Sequence, residues 1–300
     1  MLNYLSVDVE DWFHFVGSRY SYPVEAWCGL ESHLRRMTDR VLEVIHPRKA
    51  TFFCLGWAAR RHPEVIRSIS DAGHEVGSHG MHHDPVFVLG RRKFRRDLEA
   101  SRKILEDCCA QKVTAYRAPG FSIRPADAGW AFEEIHAAGY RLDSSVFPGL
   151  RARGGIPGAS PHPYTIPVAN GELREIPVST AKLFGVRTAF CGGGFFRFFP
   201  YWLIRREIRR LNAAGRPAVV YIHPRDLEPE QPRMRLEPVN GFLYRWGLGA
   251  AMGKFQELMR DFAWGPLGEE FPSLSGCPGG GATGAREGGR KLLSLEKAPS

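Results

Sequence analysis

Strand-like and helix-like segments alternate from residue 3 to residue 224. That alternation restricts the chain to parallel strands joined by helical crossovers, as a barrel or a doubly wound sheet. "NYLSVDV" (Asn3 to Val9) has strand length and runs into a cluster of acids. Glu31 to His46 carries a helical stripe at Leu34, Thr38, Val41, Leu42 and Ile45. Lys49 to Trp57 reads as a buried strand. Pro63 to Gly73 opens on Pro and stops on Gly, as a helix does. "HEVGSH" is the next strand, and Arg91 to Asp107 a basic amphipathic helix. "VTAYRAP" is a strand reaching a Pro-Gly turn, Pro125 to Gly139 a helix, and "YRLDSS" a short strand. After an irregular, Pro-rich section, Pro200 to Gly215 forms a helix with Ile204, Ile208 and Leu211 facing inward, and Pro217 to Pro224 a last buried strand.

In such folds the site gathers where the strands end. The strand ends here deliver Asp8 to Asp11, His79, Arg117, Asp143 and His223, an unusual concentration of acids, histidines and one arginine. Bulk properties narrow the classes. The 300 residues, 43% hydrophobic and 24% charged, suit one large domain or two smaller ones. The net charge of +9 gathers partly in "RRKFRR" and "RREIRR". Such runs attract nucleic acid, anionic glycans or anionic lipid, but on helices they usually face water. No nucleic-acid motif accompanies either run, so no nucleic-acid partner is expected. The six cysteines form no CxxC pair and demand no disulfide framework. The N-terminus lacks the features of a secretory signal, and no apolar run reaches the roughly 20 residues of a membrane span. A cytoplasmic protein is expected, with the basic helices offering peripheral contact to the inner membrane face. Composition predicts a Gly-rich disordered tail over 273–300.

"GHEVGSHGMHHDPV" (Gly73 to Val86) holds four histidines. His79 and His83 have the H-x-x-x-H spacing that aims two imidazoles at one point. Gly80 follows His79, so this is not the HExxH site of zinc proteases, and the base must come from elsewhere. Two histidines, one carboxylate and open positions make a catalytic metal site. "DVED" can supply the carboxylate. In a strand Asp8 and Glu10 point to the same side, so one can bind the metal and the other act on its water. "CGGGFFRFFP" lacks the Lys and Ser/Thr of a phosphate loop.

These segments together resemble the polysaccharide deacetylases of the NodB-homology type, carbohydrate esterase family four. Within them the chain is similar to the branch associated with exosortase-linked exopolysaccharide gene clusters. The resemblance covers Met1 to Phe271 and rests on five motifs in the family's order. "SVDVEDWF" resembles the first and implies Asp8 as catalytic base. It departs from the usual adjacent aspartates at Val9, which leaves Glu10 as metal ligand, with Asp11 as the alternative. "HGMHH" implies His79 and His83 as ligands, with Gly80 in place of a hydroxyl residue. "YRAPGF" implies an Arg117 that pairs with the catalytic aspartate. "LDSS" places Asp143 beside the site, where a turn-forming role is the competing reading. "YIHP" implies His223 as the proton donor to the leaving amine, tuned by Asp143 or Asp226.

The resemblance implies a distorted parallel (β/α) barrel spanning residues 1–272. It implies metal-dependent removal of N-acetyl groups from amino sugars of an exopolysaccharide or its lipid-linked precursor. Zinc is the default ion, with cobalt or nickel open. Trp12, Pro119, Gly120 and Phe121 are expected at the substrate cleft. A backbone N–H near Pro119 to Phe121 would hold the oxyanion. Phe195, Phe196 and Phe198 either stack on sugars or pack in the core. Two rival functions stay open. One is hydrolysis of another non-peptide C–N bond, cyclic or linear. The other is a non-catalytic glycan-binding relative, which the departures at Val9 and Gly80 encourage.

Overall fold

A computed structural model describes residues 1–269 apart from residues 16, 17, 19, 150, 152, 153 and 184. The Gly-rich tail expected over 273–300 lies outside the described residues. Five short parallel strands form the body of the sheet: β1 (Leu2–Val9), β2 (Thr51–Cys54), β3 (Glu75–Ser78), β4 (Ala115–Tyr116) and β5 (Leu142–Asp143). They are joined by α1 (Leu34–Ile45), α2 (Gly56–Arg61), α3 (Pro63–Asp71), α4 (Val86–Cys109) and α5 (Pro125–Ala137). The Pro-rich section contains two antiparallel pairs, β6 (Tyr164–Val168) with β7 (Gly171–Glu175) and β8 (Thr180–Leu183) with β9 (Val186–Ala189). The helices α6 (Gly193–Phe198) and α7 (Tyr201–Ala213) lead into β10 (Val219–Ile222). Beyond it lie α8 (Pro238–Arg245), α9 (Leu248–Asp261) and β11 (Ala263–Gly265).

The sheet order is β10-β1-β2-β3-β4-β5-β7-β6, with β11 also on β1. Every pairing in it is parallel except β6 with β7. Among the described residues no ladder joins β6 back to β10, so the barrel is incomplete. This is the expected distorted (β/α) barrel.

The central strand β1 is buried from Asn3 to Val9, as parallel strands covered on both faces are. Its polar members are therefore paired: Ser6 Oγ donates to Val220 O at 3.1 Å, and Asn3 Oδ1 accepts from the Ala218 N–H at 2.7 Å. The stripe of α1 is buried at Leu34, Met37, Thr38, Val41 and Ile45.

Three sequence expectations change. The strand read over Lys49 to Trp57 stops at Cys54, because Gly56 opens α2. The basic helix begins five residues earlier, at Val86, and breaks direction at Gly90, whose φ of 64° is left-handed. The section read as irregular holds β6–β9. Pro167 is tolerated there because β6 is an edge strand that needs no N–H on its outer side.

Candidate metal centre and active site

Because the strands are parallel, their C-terminal ends open on one side, and the polar residues at those ends meet. His79 follows β3 directly, its N–H donating to Cys54 O at 2.9 Å. Gly80 then takes φ 76°, and Asp97 in α4 accepts from the Met81 N–H at 3.0 and 3.1 Å. That left-handed step explains a glycine where a hydroxyl residue was expected. Burial pushes the Asp97 carboxyl up to about 7, although the Met81 N–H works against it. The turn ends on His83 at φ 61°, a strained conformation for a histidine and one that clusters at functional sites.

Three side chains converge on one point. Glu10 Oε1 lies 3.3 Å from His79 Nε2 and 2.9 Å from His83 Nε2. All three residues are buried. His79 Nδ1 donates to Arg117 O at 2.8 Å, which fixes the ring and turns Nε2 toward Glu10. Both ring nitrogens of His83 are buried without a hydrogen bond. The approach of His83 Nε2 to Glu10 has the distance of a hydrogen bond but not its alignment. Burial raises the Glu10 carboxyl, but Arg225, His83, His223 and His79 outweigh it and hold it well below its ordinary range. Arg225 Nη2 sits 3.0 Å from Glu10 Oε2.

Asp11, the alternative ligand, faces elsewhere. Its Oδ1 accepts from the Trp12 N–H at 2.9 Å and the His33 N–H at 3.2 Å, and its Oδ2 from Ser32 Oγ at 2.5 Å. It ties the end of β1 to the start of α1.

Beside the triad stands a second pair. Arg117 Nη1 donates to Asp8 Oδ1 at 2.7 Å and to Ser6 Oγ at 2.8 Å. Its Nε donates to Ser144 O at 3.1 Å and its Nη2 to Ser144 Oγ at 2.8 Å, which locks the guanidinium. His223, just past β10, places Nε2 3.8 Å from Asp8 Oδ2 and 3.6 Å from Glu10 Oε1. Its Nδ1 donates to Asp226 Oδ2 at 2.7 Å. Burial lowers the His223 pKa, but Glu10 and Asp226 outweigh it and the net direction is up. Asp226 is raised by burial and lowered further by His223, Arg197 and Arg225, so it stays a carboxylate. Arg197 Nε holds its other oxygen at 2.9 Å, while Arg197 Nη1 reaches the carbonyls of Leu243, Tyr244 and Trp246.

Asp8, Glu10, His83, His223 and Arg225 floor a cavity of about 530 Å³. Pro119, Gly120 and Phe121 line it, with Phe15, Phe195, Phe198 and Trp246 as apolar walls. Two expected residues are elsewhere. Trp12 is buried, its indole N–H donating to Glu31 O at 2.9 Å, and it packs edge-on against Phe13 and Tyr22; Phe15 takes the place by the cleft. Asp143 does not reach His223; Asp226 does. Asp143 pairs with Glu175 across β5 and β7, and burial together with Asp143 keeps the proton on Glu175. Asp143 Oδ1 accepts from Ser145 Oγ at 2.5 Å, and Ser145 Oγ accepts from the Ala118 N–H at 2.8 Å, so Asp143 braces the Pro119 turn from behind. The aromatic cluster divides: Phe196 is core, and Phe195 and Phe198 face the cavity.

Sequence reasoning missed Arg225, Arg197 and Asp97. "HPRD" (His223 to Asp226) held the signal for the first, since one short turn delivers the histidine, its carboxylate partner and the Glu10 partner. "CGGG" is explained by close approach rather than by an anion. A Cβ on Gly192 would meet the Tyr221 ring at 2.1 Å, and one on Gly193 would meet His223 Cε1 at 3.1 Å.

Residues 31–139 match the family model described as polysaccharide deacetylase, and residues 144–271 match a domain of unknown function, DUF3473. The first match holds His79, His83 and Arg117. The second holds His223, Arg225 and Asp226, so the uncharacterised region completes the same site. A chitooligosaccharide deacetylase of Sinorhizobium fredii is 41% identical over 85 residues, 27% of this chain and 40% of that protein. A peptidoglycan-N-acetylglucosamine deacetylase of Bacillus cereus is 29% identical over 106 residues, 35% of this chain and 47% of that protein. The chain thus spans less than half the length of these two relatives. A Mycobacterium smegmatis structure described as a polysaccharide deacetylase superposes with a TM-score of 0.60 at 22% identity, covering 88% of this chain and 86% of that one. PuuE allantoinase superposes at 0.54 and 17% identity, covering 87% and 85%. Both show the shared fold. Residues 31–139 thus match the polysaccharide deacetylase family, and the incomplete parallel barrel around them is the fold that the chain shares with a solved structure described as a polysaccharide deacetylase.

Proposed function

We propose that the protein is a metal-dependent N-deacetylase of N-acetylated amino sugars, acting on an exopolysaccharide or its lipid-linked precursor. One observation carries the reading: Glu10, His79 and His83 converge beside an arginine-clamped Asp8 and an Asp226-backed His223.

The donors suit a divalent cation. Both nitrogens of His83 are buried without a hydrogen bond, a costly arrangement for imidazole unless an ion satisfies one of them. Two imidazoles and a carboxylate suit zinc, and also cobalt or nickel. Held by Glu10, His79 and His83, such a cation supplies Lewis-acid polarisation of the acetyl carbonyl and acidifies water.

The remaining steps belong to the chain's own residues. Arg117 holds Asp8 Oδ1, which leaves Oδ2 to take the proton of the attacking water. Pro119 has no N–H, and the Phe121 N–H already donates to Ala118 O at 3.0 Å, so within this turn the Gly120 N–H is the donor left for the oxyanion. His223 Nε2 gives its proton to the departing amine as the C–N bond breaks, and Asp226 stabilises the imidazolium beforehand. Acetate and a free amino sugar result. Phe195, Phe198 and Trp246 offer flat apolar faces suited to sugar rings.

The test is acetate release from N-acetylhexosamine oligomers by the protein supplied with Zn²⁺, Co²⁺ or Ni²⁺. Asp8→Asn should abolish release while retaining bound metal. No release from any such glycan would sink the reading. Release of amine from cyclic amides instead would favour the other C–N hydrolase class.

A further inference from the structure

The charges around the cavity balance almost completely. Asp8 is matched by Arg117, Glu10 by Arg225, and Asp226 by Arg197 and His223. Arg151 stands outside this balance. It lines the same cavity as Asp8, Glu10, His83 and His223, and no ion pair reaches it among the described residues.

Arg151 is nevertheless held in place. Its guanidinium carbon lies 5.1 Å from the Phe121 ring centroid and 5.1 Å from that of Phe147. Phe121 and Phe147 are themselves buried and pack 6.5 Å apart with Tyr221 against Phe121 at 5.0 Å. Aromatic faces orient a guanidinium but do not satisfy its N–H donors. The Tyr221 side chain takes up part of the hydrogen-bonding capacity of Arg151, while Arg151 Nη1 is buried without a partner and the positive charge has no counter-ion among the described residues. A free arginine on the surface would solvate its donors. One fixed among aromatic rings at the edge of the cavity, with no carboxylate to balance its charge, is arranged to receive an anion.

We propose that Arg151 is a specificity-determining residue that binds an acidic group of the substrate, a carboxylate or a phosphate ester, on the sugar being deacetylated or on its neighbour. The substrate class is therefore an anionic glycan or a sugar carried on a phosphate or diphosphate, rather than a neutral N-acetylglucosamine polymer. Arginine suits either anion because its parallel N–H groups match two oxygens at once. The inference rests on the deacetylase reading for its substrate but not for its anion.

The experiment compares three substrates of matched length: a neutral N-acetylglucosamine oligomer, one alternating with uronic acid, and N-acetylglucosamine on a diphosphate. The readout is the ratio of kcat/KM on each acidic substrate to that on the neutral one. The wild-type protein should favour at least one acidic substrate. Arg151→Met should cut that preference about tenfold to a hundredfold, the usual worth of a charge-assisted hydrogen bond. Arg151→Lys should retain part of it. Any general loss in the variants cancels in the ratio. Preference for the uronic oligomer identifies a carboxylate, and preference for the diphosphate a phosphate.

A wild-type protein with no acidic preference, or a preference that survives Arg151→Met, overturns the proposal. If no substrate releases acetate, the deacetylase reading fails separately. Calorimetric titration with the same three compounds then decides the anion site: tighter binding of an acidic compound that weakens in Arg151→Met supports it, and equal binding overturns it.

Discussion

Arg117→Met isolates what the buried Asp8–Arg117 pair does for stability. Arg117 has no solvent exposure (0%) and makes its four hydrogen bonds to Asp8, Ser6 and Ser144. Methionine fills most of the volume and forms none of them. The two serines keep partners, since Ser6 Oγ still donates to Val220 O and Ser144 Oγ to Ile176 O. Asp8 does not; among the described residues its other ion pair is with His223 Nε2, at 3.8 Å. Breaking a buried pair on one side typically costs about 3–5 kcal/mol, because a charge is left uncompensated. For a domain of this size that lowers Tm by roughly 6–20 °C. Asp8→Asn in the Arg117→Met background removes the stranded charge, so the double variant should recover a large part of the loss. Thermal unfolding of metal-free protein at pH 7, run as a double-mutant cycle, reads this without any activity. If the double variant is no more stable than Arg117→Met, compensation of Asp8 is not what Arg117 provides.

Further outcomes follow from the same geometry. Added Zn²⁺ should raise Tm with concentration in the wild type and in Asp11→Ala but not in Glu10→Gln; a metal-dependent rise lost in Asp11→Ala would reverse the ligand assignment. Asp11→Ala by itself should cost about 1–3 kcal/mol in urea unfolding, because the Trp12 N–H, the His33 N–H and Ser32 Oγ lose their acceptor. The His223 pKa is raised, with Glu10 and Asp226 outweighing burial, so the protonated donor persists to higher pH and turnover falls as pH rises through that value. Asp226→Asn removes one of those anions and should move the alkaline limb of the pH–kcat profile down by about one unit or more; an unmoved limb refutes the donor role. Gly192→Ala would drive a Cβ to 2.1 Å from the Tyr221 ring at a φ of 143°, and should destabilise by about 1–3 kcal/mol or more in chemical unfolding.

Much of the scaffold was legible because its signals are local. The Pro-first, Gly-last helices α3 and α5 fall where the sequence puts them, within two residues at each end. The strand ends carrying Asp8, His79, Arg117 and His223 meet in space because parallel strands all finish on one side. What was not legible depends on contacts between distant segments. Trp12 looks like a cleft aromatic next to the acids, but its indole N–H finds Glu31 O, nineteen positions on, and the ring goes inward. Asp143 looks like a partner for His223 until β7 brings Glu175 opposite it. Arg225 and Asp226 follow His223 in one turn, and only the fold shows that one faces Glu10 and the other faces the imidazole.

The departure at Val9 has a physical counterpart in that turn. Where two adjacent carboxylates are usual, this chain spaces them as Asp8 and Glu10, and β1 ends at Val9 between them. The Glu10 N–H donates back to Asp8 O at 2.9 Å, a tight reversal that takes Glu10 off the strand's own alternation. The longer side chain restores the reach, but a glutamate has one more rotatable bond to fix than an aspartate, and its carboxylate is buried. Arg225 answers both needs: it orients Oε2 at 3.0 Å and compensates the charge, leaving Oε1 toward His79 and His83. Glu10 and Arg225 are therefore one unit contributed from two ends of the sequence. A change at either should be judged against the other, because with the Val9 spacing it is this pair that brings Glu10 Oε1 within 3.3 Å of His79 Nε2 and 2.9 Å of His83 Nε2.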